Sequence, residues 1–147
     1  MATAQGHYER CIARWRELGN RREVAIFQSE LGHLAVAQDR HDEATRLLTQ
    51  SLTVLRELAI PQRFPYCLEG LAILAATAKL PVRALHLAAA AAALRSGHGS
   101  TTPEIEAGRL TRALDDARAT LAAVAGAVAW DEGVSLSIDE AIAEALT

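Results

Sequence analysis

The sequence predicts an all-α domain of antiparallel helical hairpins, stacked as an α-solenoid and closed by a C-terminal helical cap. Half of its 147 residues are apolar, mostly Ala and Leu, and only 4% are aromatic. This composition favours helices throughout. The chain also repeats itself at a spacing of 40, because Leu31, Leu34, Ala35, Ala44 and Leu47 recur as Leu71, Leu74, Ala75, Ala84 and Leu87. A fixed period of this length indicates stacked helical hairpins.

The first predicted helix runs from about Ala2 to Leu18 and ends at Gly19-Asn20. Its apolar stripe is Tyr8, Cys11, Ile12, Trp15 and Leu18, at the 3- and 4-residue steps of one helix face. By the 40-residue register this is the second helix of a pair whose first helix is missing, so we expect the stripe to lack its partner. The chain is then a piece of a longer array, or it associates through Tyr8, Ile12 and Trp15.

Four helices follow with the predicted ranges 21–38, 42–58, 61–79 and 81–95. Gly32 and Ala44 are small where the first two of these cross, and Leu31, Leu34 and Leu48 fill the groove between them. Asp42-Glu43 places acids at a helix N-terminus, and Pro81 takes a first-turn position. Residues 1–97 are thus interpreted as the repeats.

Residues 98–147 are interpreted as a non-repeat cap of the same domain, after a flexible break at Gly97–Thr101. Thr102-Pro103-Glu104 predicts a helix start with a cap, a first-turn proline and an acid. We expect that helix to bury Ile105, Leu110, Leu114 and Leu121. A short helix ending at Gly133 follows, and the capping box Ser137–Glu140 opens the last one.

Several segments resemble a known family. They are Tyr66–Ala72, Arg83–Ala88, Ala93–Arg95, Pro103-Glu104, Ala129–Gly133 and Leu136–Ile142. The chain resembles a tetratricopeptide array, and more narrowly the helical array that ends bacterial signal-transduction ATPases and LuxR-type transcriptional regulators similar to the maltose-regulon activator. The resemblance implies a protein- or effector-responsive scaffold that is not a catalyst. In such proteins an ATPase lies before the array and a DNA-binding domain can follow it.

The resemblance also places a groove. In the tetratricopeptide register the groove-facing positions are Ile26, Ser29, His33 and Val36, with Tyr66, Glu69, Ile73 and Thr77 as their counterparts. We expect such a groove to accept an extended or helical peptide, with His33, Tyr66 and Glu69 as polar anchors. The alternative is that all of these are ordinary exposed helix residues.

No motif predicts catalysis. The chain lacks a Gly-Lys-Ser/Thr phosphate loop and a Gly-x-Ser-x-Gly elbow, and no two histidines have the i, i+4 spacing of a helical metal site. We therefore expect no enzyme activity, no cofactor and no metal. The two cysteines, Cys11 and Cys67, lie far apart in sequence and are interpreted as reduced thiols.

Charge and hydropathy argue against nucleic acid and membranes as direct partners. A net charge of −3 gives no general attraction to nucleic acid, and acids interrupt the basic cluster Arg10, Arg14, Arg16, Arg21 and Arg22. No apolar run is long enough to span a membrane, and no signal peptide is visible, so the expected location is the cytoplasm.

Three function hypotheses follow. The first is a non-catalytic protein-interaction and regulatory module, the C-terminal part of a multidomain bacterial transcriptional regulator or signalling ATPase. Its partner is a protein, a peptide or the upstream domains of a larger parent chain. The second is a small-ligand sensor with a pocket between array and cap, and the third is a self-associating dimerisation domain.

Overall fold

The computed structural model describes residues 3–147, which form eight α-helices, one short 3₁₀ helix and no strand. The all-α class is therefore confirmed. The helices are α1 (Ala4–Glu17), α2 (Arg21–Ala37), α3 (His41–Glu57), α4 (Phe64–Thr77), α5 (Pro81–His98), α6 (Glu104–Ala119), α7 (Ala123–Val134) and α8 (Ile138–Leu146), and the 3₁₀ helix is Pro61–Arg63. The predicted helix start at Ala2 lies outside the described residues.

Each of the α-helices α1 to α5 is followed by a residue with left-handed backbone conformation, and these five residues are spaced 20 positions apart. They are Gly19, Asp39, Ala59, Lys79 and Gly99, with φ between 54° and 69°. After each one, the next residue donates its backbone N–H to the carbonyl five positions earlier, at 2.9 or 3.0 Å. This bond belongs to the Schellman ending, which satisfies the last carbonyls of a helix. The repeat found in the sequence is thus also a repeat of backbone conformation.

The helices pack mainly as neighbours in sequence. Tight turns join α2 to α3 and α4 to α5, and each pair packs along its length, while α3 also contacts α4. α6 packs on α4, and α7 packs on α5. α6 begins 40 residues after α4, although residues 98–147 were interpreted as lying outside the repeat.

The predicted close approach at Gly32 is confirmed, and a second glycine shares it. A Cβ on Gly32 would lie 2.8 Å from the Leu48 side chain, and a Cβ on Gly70 would lie 2.7 Å from Leu48 Cδ1. Leu48 itself is fully buried. The α3 leucine therefore sits between α2 and α4, and glycine on both helices leaves room for it.

Most of the apolar stripe of α1 is covered by the chain's own helices, contrary to expectation, although Leu18 at its end is 58% exposed. Ile12 is only 7% exposed and clusters with Leu31 and Leu47, while the Tyr8 ring lies 6.3 Å from the Phe27 ring. Trp15 is half-buried. A lone helix following the hairpin register can still bury its stripe against the next helix, and α2 supplies that surface. Self-association through Tyr8, Ile12 and Trp15 stays a prediction.

Three local predictions after residue 97 need correction. Gly97 and His98 belong to α5, which ends at the left-handed Gly99. Thr102 does not cap α6, because its hydroxyl bonds the buried Glu69 carboxylate instead. Ile105 is 68% exposed, since the N-terminal turn of α6 turns that side to solvent. The Ser137–Glu140 capping box is confirmed.

A histidine bridge that the sequence did not predict joins α5, α7 and α8. His86 on α5 bonds Glu144 on α8 through Nδ1 at 2.8 Å and Glu132 on α7 through Nε2 at 2.9 Å. His86 is half-buried, and its two hydrogen bonds connect α5 to α7 and α8. None of the helices within residues 3–147 is long and apolar enough to cross a membrane.

Candidate functional site

A cleft lies between α2 and α6, with α4 as its floor. The cleft has a volume of about 420 Å³. Its floor and one wall carry Val36, Ile73 and Leu74, each less than 10% exposed because their side chains pack into the core. We call this surface the α4 cleft. Val36, Ile73 and Thr77 were all expected in a groove, and all three line it.

The rim of the α4 cleft carries more cations than acids. Lys79, Arg109 and Arg112 line it, together with Asp39 and Asp116. Within residues 3–147 none of the three cations forms an ion pair. Three cations and two acids leave the rim with a net charge of +1, which attracts negative charge, most strongly at low ionic strength.

His33 and Tyr66, predicted as anchors, lie on α2 and α4 but do not line the α4 cleft. Their rings stack with centroids 3.9 Å apart, and His33 Nε2 donates to the Tyr66 carbonyl oxygen at 2.7 Å. His33 is 2% exposed and Tyr66 is 7% exposed. Burial lowers the pKa of His33, so the ring is neutral at pH 7.

The Tyr66 hydroxyl lies between two carboxylates. Glu30 on α2 and Glu106 on α6 each place an oxygen 3.1 Å from it. A phenol has one proton to donate, so the two acids share a single donor. Burial, and secondarily the Glu106 charge, raises the pKa of Glu30, while the Tyr66 hydrogen bond and Arg63 act in the opposite direction. This triad links both walls of the cleft to its floor.

Glu69, the third predicted anchor, holds the chain between α5 and α6. Arg95 donates to its two oxygens at 2.9 and 2.6 Å, and the Thr102 hydroxyl donates to the same carboxylate. Arg95 also donates to the Thr101 carbonyl at 2.9 Å. Glu69 is 2% exposed, so this charge is fully paired inside the protein, as a buried carboxylate requires.

The three anchors are therefore internal in this structure. Ser29 is also buried, donating to the Ile26 carbonyl at 2.6 Å, and Ile26 is half-buried. His33 on α2 bonds Tyr66 on α4, and Tyr66 bonds Glu106 on α6, whereas Glu69 is held by Arg95 and Thr102. The sequence analysis interpreted residues 98–147 as a non-repeat cap of the same domain, and so it did not place α6 beside α4.

The cations of α6 were missed for the same reason. Arg109 and Arg112 are three residues apart and so share one helix face. Their signal in the sequence is the position of α6 one period after α4, which places that face beside Thr77 and Lys79. Within residues 3–147, no group of three or more His, Cys, Asp or Glu side chains is placed to hold a metal.

Comparison with family models, with curated proteins and with solved structures found no match for this chain.

Proposed function

We propose that this chain is a non-catalytic protein-interaction module that binds an acidic peptide segment in the α4 cleft. The observation that carries the proposal is the cleft itself, with its apolar floor and three cations unpaired within residues 3–147. Apolar anchors supply most of the affinity of peptide complexes, and complementary charge supplies orientation and association rate.

The cleft volume sets the size of the occupant. About 420 Å³ accommodates a few side chains and not a folded domain. A segment with one apolar residue on Ile73 and Leu74 and acids on either side would reach Arg109, Arg112 and Lys79 together. The same proposal places the chain in the C-terminal array of a multidomain bacterial transcriptional regulator or signalling ATPase, where upstream domains or a partner protein supply the segment. The 20-residue spacing of the helix ends supports an array.

A displayed peptide library selected on the wild-type chain tests the binding proposal. We expect enriched peptides to combine an apolar residue with neighbouring acids. Their affinity, measured by fluorescence polarisation, should fall at least tenfold for Arg109→Glu/Arg112→Glu and for Ala37→Trp, which adds bulk at the exposed edge of the cleft. Arg56→Glu, an exposed arginine on α3 outside the cleft, is the matched control and should bind normally.

Two results would overturn the proposal. One is a selection that enriches no acidic peptide. The other is equal binding by the cleft variants and the control.

The proposal that this chain belongs to a larger multidomain protein is tested separately, by measuring the size of the native gene product on an immunoblot from the source cells. A band far above 15.7 kDa is expected, and a band at that mass would reject the parent chain.

A further inference from the structure

A second cavity lies away from the α4 cleft, where α1, α2 and α3 meet the end of α8. Its volume is about 700 Å³, within the range of small-molecule sites. We call it the α1–α3 cavity. We infer that it binds a small amphipathic anion that carries an acid group, a hydrogen-bonding amide and an apolar side chain. This site is separate from the peptide surface proposed above.

One wall of the α1–α3 cavity is apolar. Val24 on α2, Val54 on α3 and Leu146 on α8 line it, and each is half-buried. Leu146 and Val54 also pack on the main core, so this wall is anchored to the core. A branched aliphatic side chain of the ligand would gain burial here.

The polar part of the lining supplies mainly hydrogen-bond donors. Arg16 and Arg21 line the cavity mouth. Arg21 pairs with Glu57 at 2.5 Å, whereas Arg16 forms no ion pair within residues 3–147. The Asn20 side-chain oxygen caps α2, and its amide N–H groups donate no hydrogen bond among the described residues. A surplus of donors with a cation favours a carboxylate or phosphate.

A buried amide supports a built site more directly. Gln28 is only 8% exposed, yet it lines the cavity. Its one hydrogen bond among the described residues runs from Nε2 to the Gln50 side-chain oxygen at 3.4 Å, which is long for such a bond. The Gln28 oxygen and the Gln50 N–H groups have no partner in that part of the chain. Gln50 is exposed and Gln28 Oε1 is not one of the fully buried atoms, so both groups reach solvent, and a ligand amide between the two glutamines would bond them in its place.

The hydroxyls on α3 do not satisfy Gln28. Thr49 donates to the Thr45 carbonyl at 2.7 Å and Thr53 donates to the Thr49 carbonyl at 2.8 Å. Both protons are therefore used along the helix, and only acceptor positions remain toward the cavity. The lining of the cavity thus combines cations, side-chain amides and aliphatic side chains.

N-acetyl-L-leucine carries all three groups and is the probe, with N-acetyl-L-leucinamide as its uncharged match. A molecule of this size is expected to bind with a Kd on the order of 1 mM. In ¹H–¹⁵N NMR titrations we expect saturable shifts of the Val24, Gln28, Gln50 and Val54 amides. The uncharged amide should bind at least fivefold more weakly. 3-Methylbutyl phosphate distinguishes a phosphate head from a carboxylate head.

Variants locate the site. Arg16→Gln and Gln28→Leu should each weaken N-acetyl-L-leucine binding at least fivefold, and Arg46→Gln, an exposed arginine of α3 that does not line the cavity, should not. Arg16 is exposed, so its replacement leaves the fold intact. The inference is overturned if neither acid gives saturable shifts, if the amide binds as tightly as the acid, if the shifts map elsewhere, or if Arg16→Gln binds like wild type.

Discussion

His33 donates its Nε2 proton to the backbone carbonyl of Tyr66 while its ring stacks on the Tyr66 ring. The N···O distance is 2.7 Å and the centroids are 3.9 Å apart. His33 lies on α2 and Tyr66 on α4, so the hydrogen bond and the ring stacking together fix how α2 packs on α4. Burial favours a neutral imidazole here, since protonation would add a charge to a ring that is only 2% exposed and makes no hydrogen bond to a carboxylate among the described residues.

Acid should therefore destabilise the protein through His33. Burial lowers the pKa of His33; the hydrogen bond to the Tyr66 carbonyl and nearby Glu106 and Glu69 oppose this shift, and Arg109 adds to it. Below pH about 6.5 the unfolded chain binds a proton that the folded chain does not, so stability falls as pH falls, by up to about 1.4 kcal/mol per pH unit. Urea unfolding at pH 7.5 and 5.5 should show a smaller loss for His33→Gln than for wild type. Equal losses would contradict this role.

Tyr66→Phe should destabilise the protein by about 1–3 kcal/mol, because Glu30 and Glu106 lose their shared donor.

The raised pKa of Glu30 makes stability change with pH in the opposite direction to the effect of His33. The stability that protonated Glu30 contributes is present below its unfolded pKa and is lost as pH rises through its folded pKa. Glu30→Gln should thus gain stability relative to wild type between pH 4 and 7. A difference that is constant with pH in denaturant titrations would refute this.

Removing one partner of the Glu69–Arg95 pair should be costly. Glu69 is 2% and Arg95 12% exposed, and an unpaired charge at such a site costs about 3–5 kcal/mol. We expect this loss for Arg95→Ala and a smaller one for the double variant Glu69→Leu/Arg95→Ala. A double-mutant cycle from thermal unfolding measures the coupling. Exposed Arg14 and Glu17, 3.3 Å apart, form the control pair, for which we expect a coupling near zero.

Ala59→Gly should stabilise the protein by about 1 kcal/mol. Ala59 has φ 54°, where an L residue with a Cβ is strained and glycine is not. Ala78→Gly is the matched control, since Ala78 has φ −78° and glycine only adds backbone freedom to the unfolded chain there. The midpoint of urea unfolding should rise for Ala59→Gly and fall for Ala78→Gly. Changes of the same sign would show that strain at Ala59 is negligible.

The helices were largely predictable because their signals are local. Glycine, proline and the capping box mark helix ends, and the 40-residue repeat of leucine and alanine located α2 to α5 within a few residues. The left-handed ends at Asp39 and Lys79 could not be expected from residue type, since neither is glycine. Their conformation is imposed by the Schellman hydrogen bonds and the packing on both sides of each turn.

The candidate sites were less predictable because they depend on which helix lies next to which. The tetratricopeptide register assigned Ile73 and Thr77 to a helix face that lines a groove, and they line the α4 cleft. His33, Tyr66 and Glu69 share that face, yet α6 and the residues before it bury them. Nothing local to Glu69 shows that Arg95 and Thr102 will meet its carboxylate, 26 and 33 residues away.

The even spacing of the left-handed residues makes residues 40–79 a cassette with interchangeable ends. Asp39 and Lys79 have φ 57° and 63°, so a second copy inserted after Lys79 would begin behind the same backbone conformation that precedes the first. Duplication of the DNA encoding these forty codons would lengthen the chain without requiring a new turn to be invented. The helical array could therefore be extended by whole 40-residue units with the same backbone conformation at each junction.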